Sequence, residues 1–133
     1  MFPYRRVATV QSAAALIWGA LLLVLPGLVL GLLGVQTDDA GLLVGRFAGG
    51  MMFALGATLW TARDTTDEAH RTRIAVGNAT CDASLALFLG KGWLVGLTHG
   101  FLGGMVVVFF TLNTISWLGT RLGAPAPTSQ PQQ

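Results

Sequence analysis

The chain has 133 residues and a mass of 14.0 kDa; 53% of its residues are hydrophobic, 11% are charged, and the mean hydropathy is +0.63. Soluble domains run near about 25% charged, so an ordinary soluble globular domain is excluded, and so is a disordered chain, which would be polar. The net charge of +2 and pI near 9.3 do not point to nucleic acid, because the eight Lys and Arg lie mostly at the ends of apolar stretches and form no basic face.

Crossing a bilayer takes about 20 mainly apolar residues, and four segments qualify. The first covers residues 7–33 and is interrupted by Pro26-Gly27. Proline removes a helix donor and clashes with the preceding turn, so the span either kinks there or ends there, with Leu28 to Leu33 lying at the interface. Met1 to Arg6 followed by an apolar run imitates a secretory signal. The run is too long for a signal core and no A-x-A-like site follows, so an uncleaved span is expected. The second span covers residues 42–62, the third 74–89 and the fourth 93–118. None alternates polar with apolar residues as a barrel strand would, so helices are predicted.

The connections are short. Thr65-Thr66-Asp67-Glu68 fits a capping box, Thr65 with Glu68, that would start the third helix. Gly90-Lys91-Gly92 reads as a tight turn. Residues 124–133, polar and proline-rich, read as a disordered tail. Arg5, Arg6, Arg63, Arg71, Arg73 and Arg121 fall on one side of the spans, and Arg46 and Lys91 toward the other. By the positive-inside rule both termini are cytoplasmic. Tyr4, Trp60 and Trp117 mark that interface, and Trp93 the outer one. Trp18 lies inside the first span, placed for packing or for stacking on a ligand. The predicted architecture is therefore all-α: an integral membrane bundle of four transmembrane helices within residues 1–123, located in the cell membrane.

Helices in lipid associate through close van der Waals contact, which small residues permit. Gly41, Gly45 and Gly49 form one row in the second span, and Gly92, Gly96, Gly100 and Gly104 form another in the fourth. Both rows lie in the outer half, so these two helices are expected to pack in parallel as a glycine zipper. The alternative is that one row faces a second protomer or a partner subunit.

Ionisable residues within a span are costly and normally face the interior. Asp82 lies about 12 Å past the cytoplasmic boundary of the third span, at 1.5 Å per residue, and Asn78 is one turn earlier on the same face. Arg46 enters with the second span and His99 with the fourth. Arg46, Asn78, Asp82 and His99 are expected to face one another. They form either a buried Arg46–Asp82 ion pair that fixes helix register or a polar pocket or relay for a proton or small polar ligand. Snorkelling without contact is the remaining option.

Other chemistry finds little support. The single cysteine, Cys81, permits no intrachain disulfide and reads as a small apolar filler. His99 is the only intramembrane histidine, with His70 in a loop, so bis-histidine haem ligation is excluded. No Ser-His-Asp order, HExxH, P-loop or dinucleotide fingerprint is present, and no catalytic residue, metal site or cofactor is expected. Thr98 and Thr111 are expected to bond back to their own helices.

Three features together resemble the DoxX-like group of small four-helix membrane proteins: LLVLPGLVLGLLG closing the first span, GLLVGRFAGGMMFALG opening the second with Arg46 among small residues, and a short charged loop followed by two further spans. The resemblance covers about Ala14 to Leu118. It implies a four-helix bundle, an inward-facing Arg46 and, in part of the group, a subunit accompanying a membrane oxidoreductase.

Three functions follow as expectations. The first is a non-catalytic accessory or scaffold subunit, in contact with the lipid bilayer and with a membrane protein partner or further copies of itself. The second is an oligomeric small-solute or proton-coupled transporter that uses Asp82. The third is a lipid- or quinone-binding protein or enzyme, with Trp18, Phe88 and His99 lining its pocket.

Overall fold

The structure, a computed structural model, describes residues 3–96 and 100–120. It is all-α, with five helices and no strand among those residues: α1 Tyr4–Val24, α2 Pro26–Leu32, α3 Asp39–Ala62, α4 Glu68–Leu94 and α5 Gly100–Gly119. By length and composition α1 and α3 are able to cross a membrane. His99 and residues 124–133 lie outside the described residues.

The first apolar segment breaks at its proline. The last helical bond of α1 runs from the Leu25 N–H to the Leu21 carbonyl, and Pro26 then opens α2, in the first position, where a missing N–H costs nothing. α2 closes on Gly34, whose φ of 73° suits only glycine without strain. The Val35 N–H reaches back to the Leu30 carbonyl at 2.9 Å, the long bond of a Schellman ending. Asp38 caps α3 by accepting the Gly41 N–H at 2.9 Å.

α4 starts from a different cap than the sequence pattern predicts. Asp67, not Thr65, accepts a first-turn N–H, that of Ala69 at 2.9 Å. A carboxylate at this place also meets the positive end of the helix dipole, an advantage that threonine lacks. Asp67→Ala should therefore cost about 1 kcal/mol, and Thr65→Ala under about 0.5 kcal/mol, measured by thermal unfolding. An equal loss from both would restore the predicted capping box.

The predicted turn at Gly90-Lys91-Gly92 is helical, and α4 continues to Leu94. Glycine costs a helix only about 1 kcal/mol, and packing against α5 outweighs it: a Cβ on Gly90 would touch Val107, and Gly104 lies against the Trp93 ring. The chain turns instead at Gly96, with φ 76°. The fourth segment thus does not begin at Trp93, and Gly92, Gly96 and Gly104 do not lie on one helix.

α3 lies along α1, and α4 along α5. The α1–α3 pair is held backbone to backbone. A Cβ on Gly19 would lie 2.6 Å from the Phe53 nitrogen, one on Gly49 2.7 Å from the Leu23 nitrogen, and one on Gly56 2.8 Å from the Leu16 nitrogen. Ascending positions of α1 meet descending positions of α3, so the two run antiparallel. The two pairs meet through Ala8, Leu59, Ala75, Ala79 and Trp117, with Tyr4, Val7 and Ile74 packed around them. Elsewhere large apolar side chains stay uncovered. On α3 they include Phe47 at 71% and Met51 at 62% exposure, and on α4 Leu87 at 77%.

Candidate functional site

The polar residues with the greatest burial lie where the two helix pairs meet. α1 supplies Gln11, α4 supplies Asn78 and Asp82, and α5 supplies Trp117, whereas Ser12, also buried, lies against Gly56 of α3 within the first pair. The i, i+4 spacing places Asn78 and Asp82 on one face of α4. Gln11 joins the three helices. Its side-chain amide nitrogen, Nε2, donates to Asp82 Oδ2 at 2.8 Å, and its Oε1 accepts the indole Nε1–H of Trp117. An indole only donates and a carboxylate only accepts, so a single amide orientation serves both partners. Glutamine is suited to this bridge because it carries a donor and an acceptor on one flexible stem.

Asp82 is 2% exposed and Trp117 is fully buried. The Tyr4 ring meets the Trp117 ring edge-on at 5.9 Å. Two amide groups remain incomplete. Asn78 donates to the Ile74 carbonyl at 2.9 Å, but its Oδ1 is buried with no hydrogen-bond partner among the described residues. Asn113 Nδ2, one turn before Trp117 on α5, is likewise buried and unpartnered. One orphan accepts and the other donates.

The structure separates the expected cluster. Arg46 is exposed on α3 and forms no ion pair among the described residues. The physical reason is helix order: α3 packs along α1, so the place predicted for Arg46 beside Asp82 is taken by Gln11. Asn78 and Asp82 are buried on one helix, as their spacing implies, and His99 lies outside the described residues. Sequence reasoning missed Gln11, Ser12 and Asn113. A usable signal is present, since Gln11 is an amide within an otherwise apolar run, but an uncharged amide stands out less than an ionisable group. Trp117 belongs to the core and does not mark an interface, Trp18 is 41% exposed, and Cys81 is exposed, not a filler.

The glycine rows also find other partners. Gly41 abuts Thr37 of its own cap, Gly45 faces Leu30 and Pro26 of α2, and Gly49 meets α1. Gly56, seven residues past Gly49, continues that stripe, and Gly19 answers it from α1. Gly92 has open space around it, Gly96 lies in a turn, Gly100 opens α5 and Gly104 meets Trp93 of α4. The predicted α3–α5 glycine contact is replaced by α3 on α1, because α5 is engaged antiparallel with α4. Thr111 bonds back to the Val107 carbonyl as expected.

No group of three or more metal-ligating side chains occurs among the described residues. The buried assembly Gln11–Asp82–Trp117 can fix helix order, and one turn away on α4 and α5 Asn78 and Asn113 each keep an unused hydrogen-bonding atom. Compared with known proteins, the chain matches no protein-family model, no curated protein and no solved structure.

Proposed function

We propose that the protein is a four-span integral membrane protein with both termini cytoplasmic, acting as a non-catalytic accessory or scaffold subunit of a membrane complex. The observation that carries this reading is the outer face of α3. One glycine-bearing stripe holds the helix to α1, while Leu43, Val44, Phe47, Met51, Phe53 and Leu55 are exposed. An uncovered apolar surface of this kind suits lipid or a protein partner and not water. Two helices of spanning length and the bias of positive residues toward one side support the topology. The DoxX-like resemblance is part of the same proposal.

Native mass spectrometry of the tagged protein, extracted gently from its own membrane, tests the reading. The expected result is a partner protein at fixed stoichiometry. A monomer, or a homo-oligomer without a partner, would overturn the subunit role.

A second reading, a proton-coupled or small-solute transporter, is favoured by one observation: the buried orphan atoms Asn78 Oδ1, one turn from Asp82 on α4, and Asn113 Nδ2, one turn from Trp117 on α5. On that reading Asp82→Asn leaves a folded protein in proteoliposomes that no longer couples solute uptake to a proton gradient.

A further inference from the structure

Arg5, Arg6, Thr9 and Val10 from the start of α1, with Trp60 and Arg63 from the end of α3, line an open groove of about 510 Å³. We propose that this groove binds the phosphate of an anionic phospholipid, an inference that rests on the membrane reading above.

Three features converge on that ligand. The first is unbalanced charge. Asp64 is shared between Arg5, at 2.7 Å, and Arg63, at 3.2 Å. The hydrogen bond from Arg63 and the charge of Arg5 hold its carboxyl below the usual value of 3.8, so Asp64 is ionised at neutral pH and cancels one positive charge. Arg6 has no ion pair among the described residues. Three lining arginines against one neighbouring carboxylate leave a net charge of two positive beside a groove whose own wall is largely apolar.

The second is the helix end. α1 begins at Tyr4 with no side-chain cap and no acidic residue in its first turn. Its dipole is positive there, and Arg5 and Arg6 add like charge where an anion belongs.

The third is amphipathic construction. The Arg63 guanidinium lies over the Trp60 ring, 3.5 Å from its centroid. This contact holds one phosphate-binding fork beside an aromatic surface of the kind found at headgroup depth. Val10 and the Trp60 ring give an acyl chain an apolar wall, and guanidiniums engage phosphate oxygens in pairs. A free anion would use the arginines and leave that wall idle.

The test compares retention of phosphatidylglycerol and phosphatidylcholine by the purified full chain in neutral detergent, read by native mass spectrometry. The expected result is preferential retention of phosphatidylglycerol, weakened about fivefold by each of Arg6→Gln and Arg63→Gln, the effect of one basic residue near an anionic surface. Arg6→Lys keeps the charge and should keep more of the preference than Arg6→Gln, which separates binding from folding, whereas Arg63→Lys also loses the fork and its seat on Trp60 and should fall between the parent and Arg63→Gln. Arg73→Gln, on α4 and outside the groove, should leave the preference unchanged. Equal retention of the two lipids, or a preference that survives Arg6→Gln with Arg63→Gln, would overturn the proposal. Displacement of the lipid by inorganic phosphate at equal concentration would overturn it too, in favour of a free-anion site. An alkaline carbonate wash of the membranes reports separately on the membrane reading: release of the chain overturns that reading, whereas a retained chain without lipid preference overturns the groove alone.

Discussion

Gly49→Val should destabilise the protein by about 3 kcal/mol, the upper part of the usual range for overpacking a close contact, and should separate α1 from α3. Even the first carbon of the new side chain would lie 2.7 Å from the Leu23 nitrogen and 2.9 Å from the Gly19 carbonyl oxygen. These are backbone atoms inside a helix, so no rotamer change relieves the clash, and the helices must move apart along their whole contact. Gly49→Ala meets the same atoms and should lose less, because alanine recovers about 1 kcal/mol of helix propensity. Gly77 and Gly92 are the controls. A Cβ at either would meet nothing within 4 Å, so alanine there should stabilise by about 0.5 to 1 kcal/mol. Thermal unfolding of the purified variants in one detergent reads all four. A Gly49→Val protein as stable as the parent would mean that α1 and α3 do not approach this closely.

Gln11→Leu should cost about 2 to 4 kcal/mol, since it leaves two buried polar groups without their partner at about 1 to 3 kcal/mol each. Two magnitudes compete in this estimate. Hydrogen bonds between helices in a membrane protein average only about 0.6 kcal/mol, because the unfolded chain in lipid also finds partners. Gln11 exceeds that average by serving the Asp82 carboxylate and the Trp117 indole at once, so its loss strands a group on each of two other helices. Adding Asp82→Leu to Gln11→Leu should recover part of the loss, because an apolar pair replaces a stranded carboxylate. Arg46→Ala should change stability by less than about 0.5 kcal/mol, as for other exposed sites. A large loss from Arg46→Ala beside a small one from Gln11→Leu would restore the Arg46–Asp82 pair to the interior.

These two substitutions fall on opposite sides of what local pattern reveals. The stripe through Gly45 and Gly49 was legible as a packing surface, since spacing alone puts those residues on one helix face, and its continuation at Gly56 obeys the same rule. Its partner was not legible: Gly19 stands alone in α1, with no repeat to mark it. Asn78 and Asp82 were legible as an inward face because amides and carboxylates are expensive in an apolar interior. The partner assigned to Asp82 followed from charge, and charge favoured Arg46. In the structure an uncharged amide that can serve two helices holds that position, and the arginine is exposed.

The sequence by itself determined the helical class, an interruption at Pro26, the apolar exterior and the face of α4 that turns inward. Each follows from composition or from geometry within a few residues: proline's missing donor, the 3.6-residue period and the cost of burying polar atoms. Only the tertiary structure decided that α3 pairs with α1, that α4 runs on through Gly90 and Gly92 to pair with α5, and that Gln11 bridges Asp82 to Trp117. Those outcomes depend on which helices become neighbours. That choice is set by steric fit summed along whole helix faces, as where the Gly19 and Gly49 backbones touch, and no local run of residues records it.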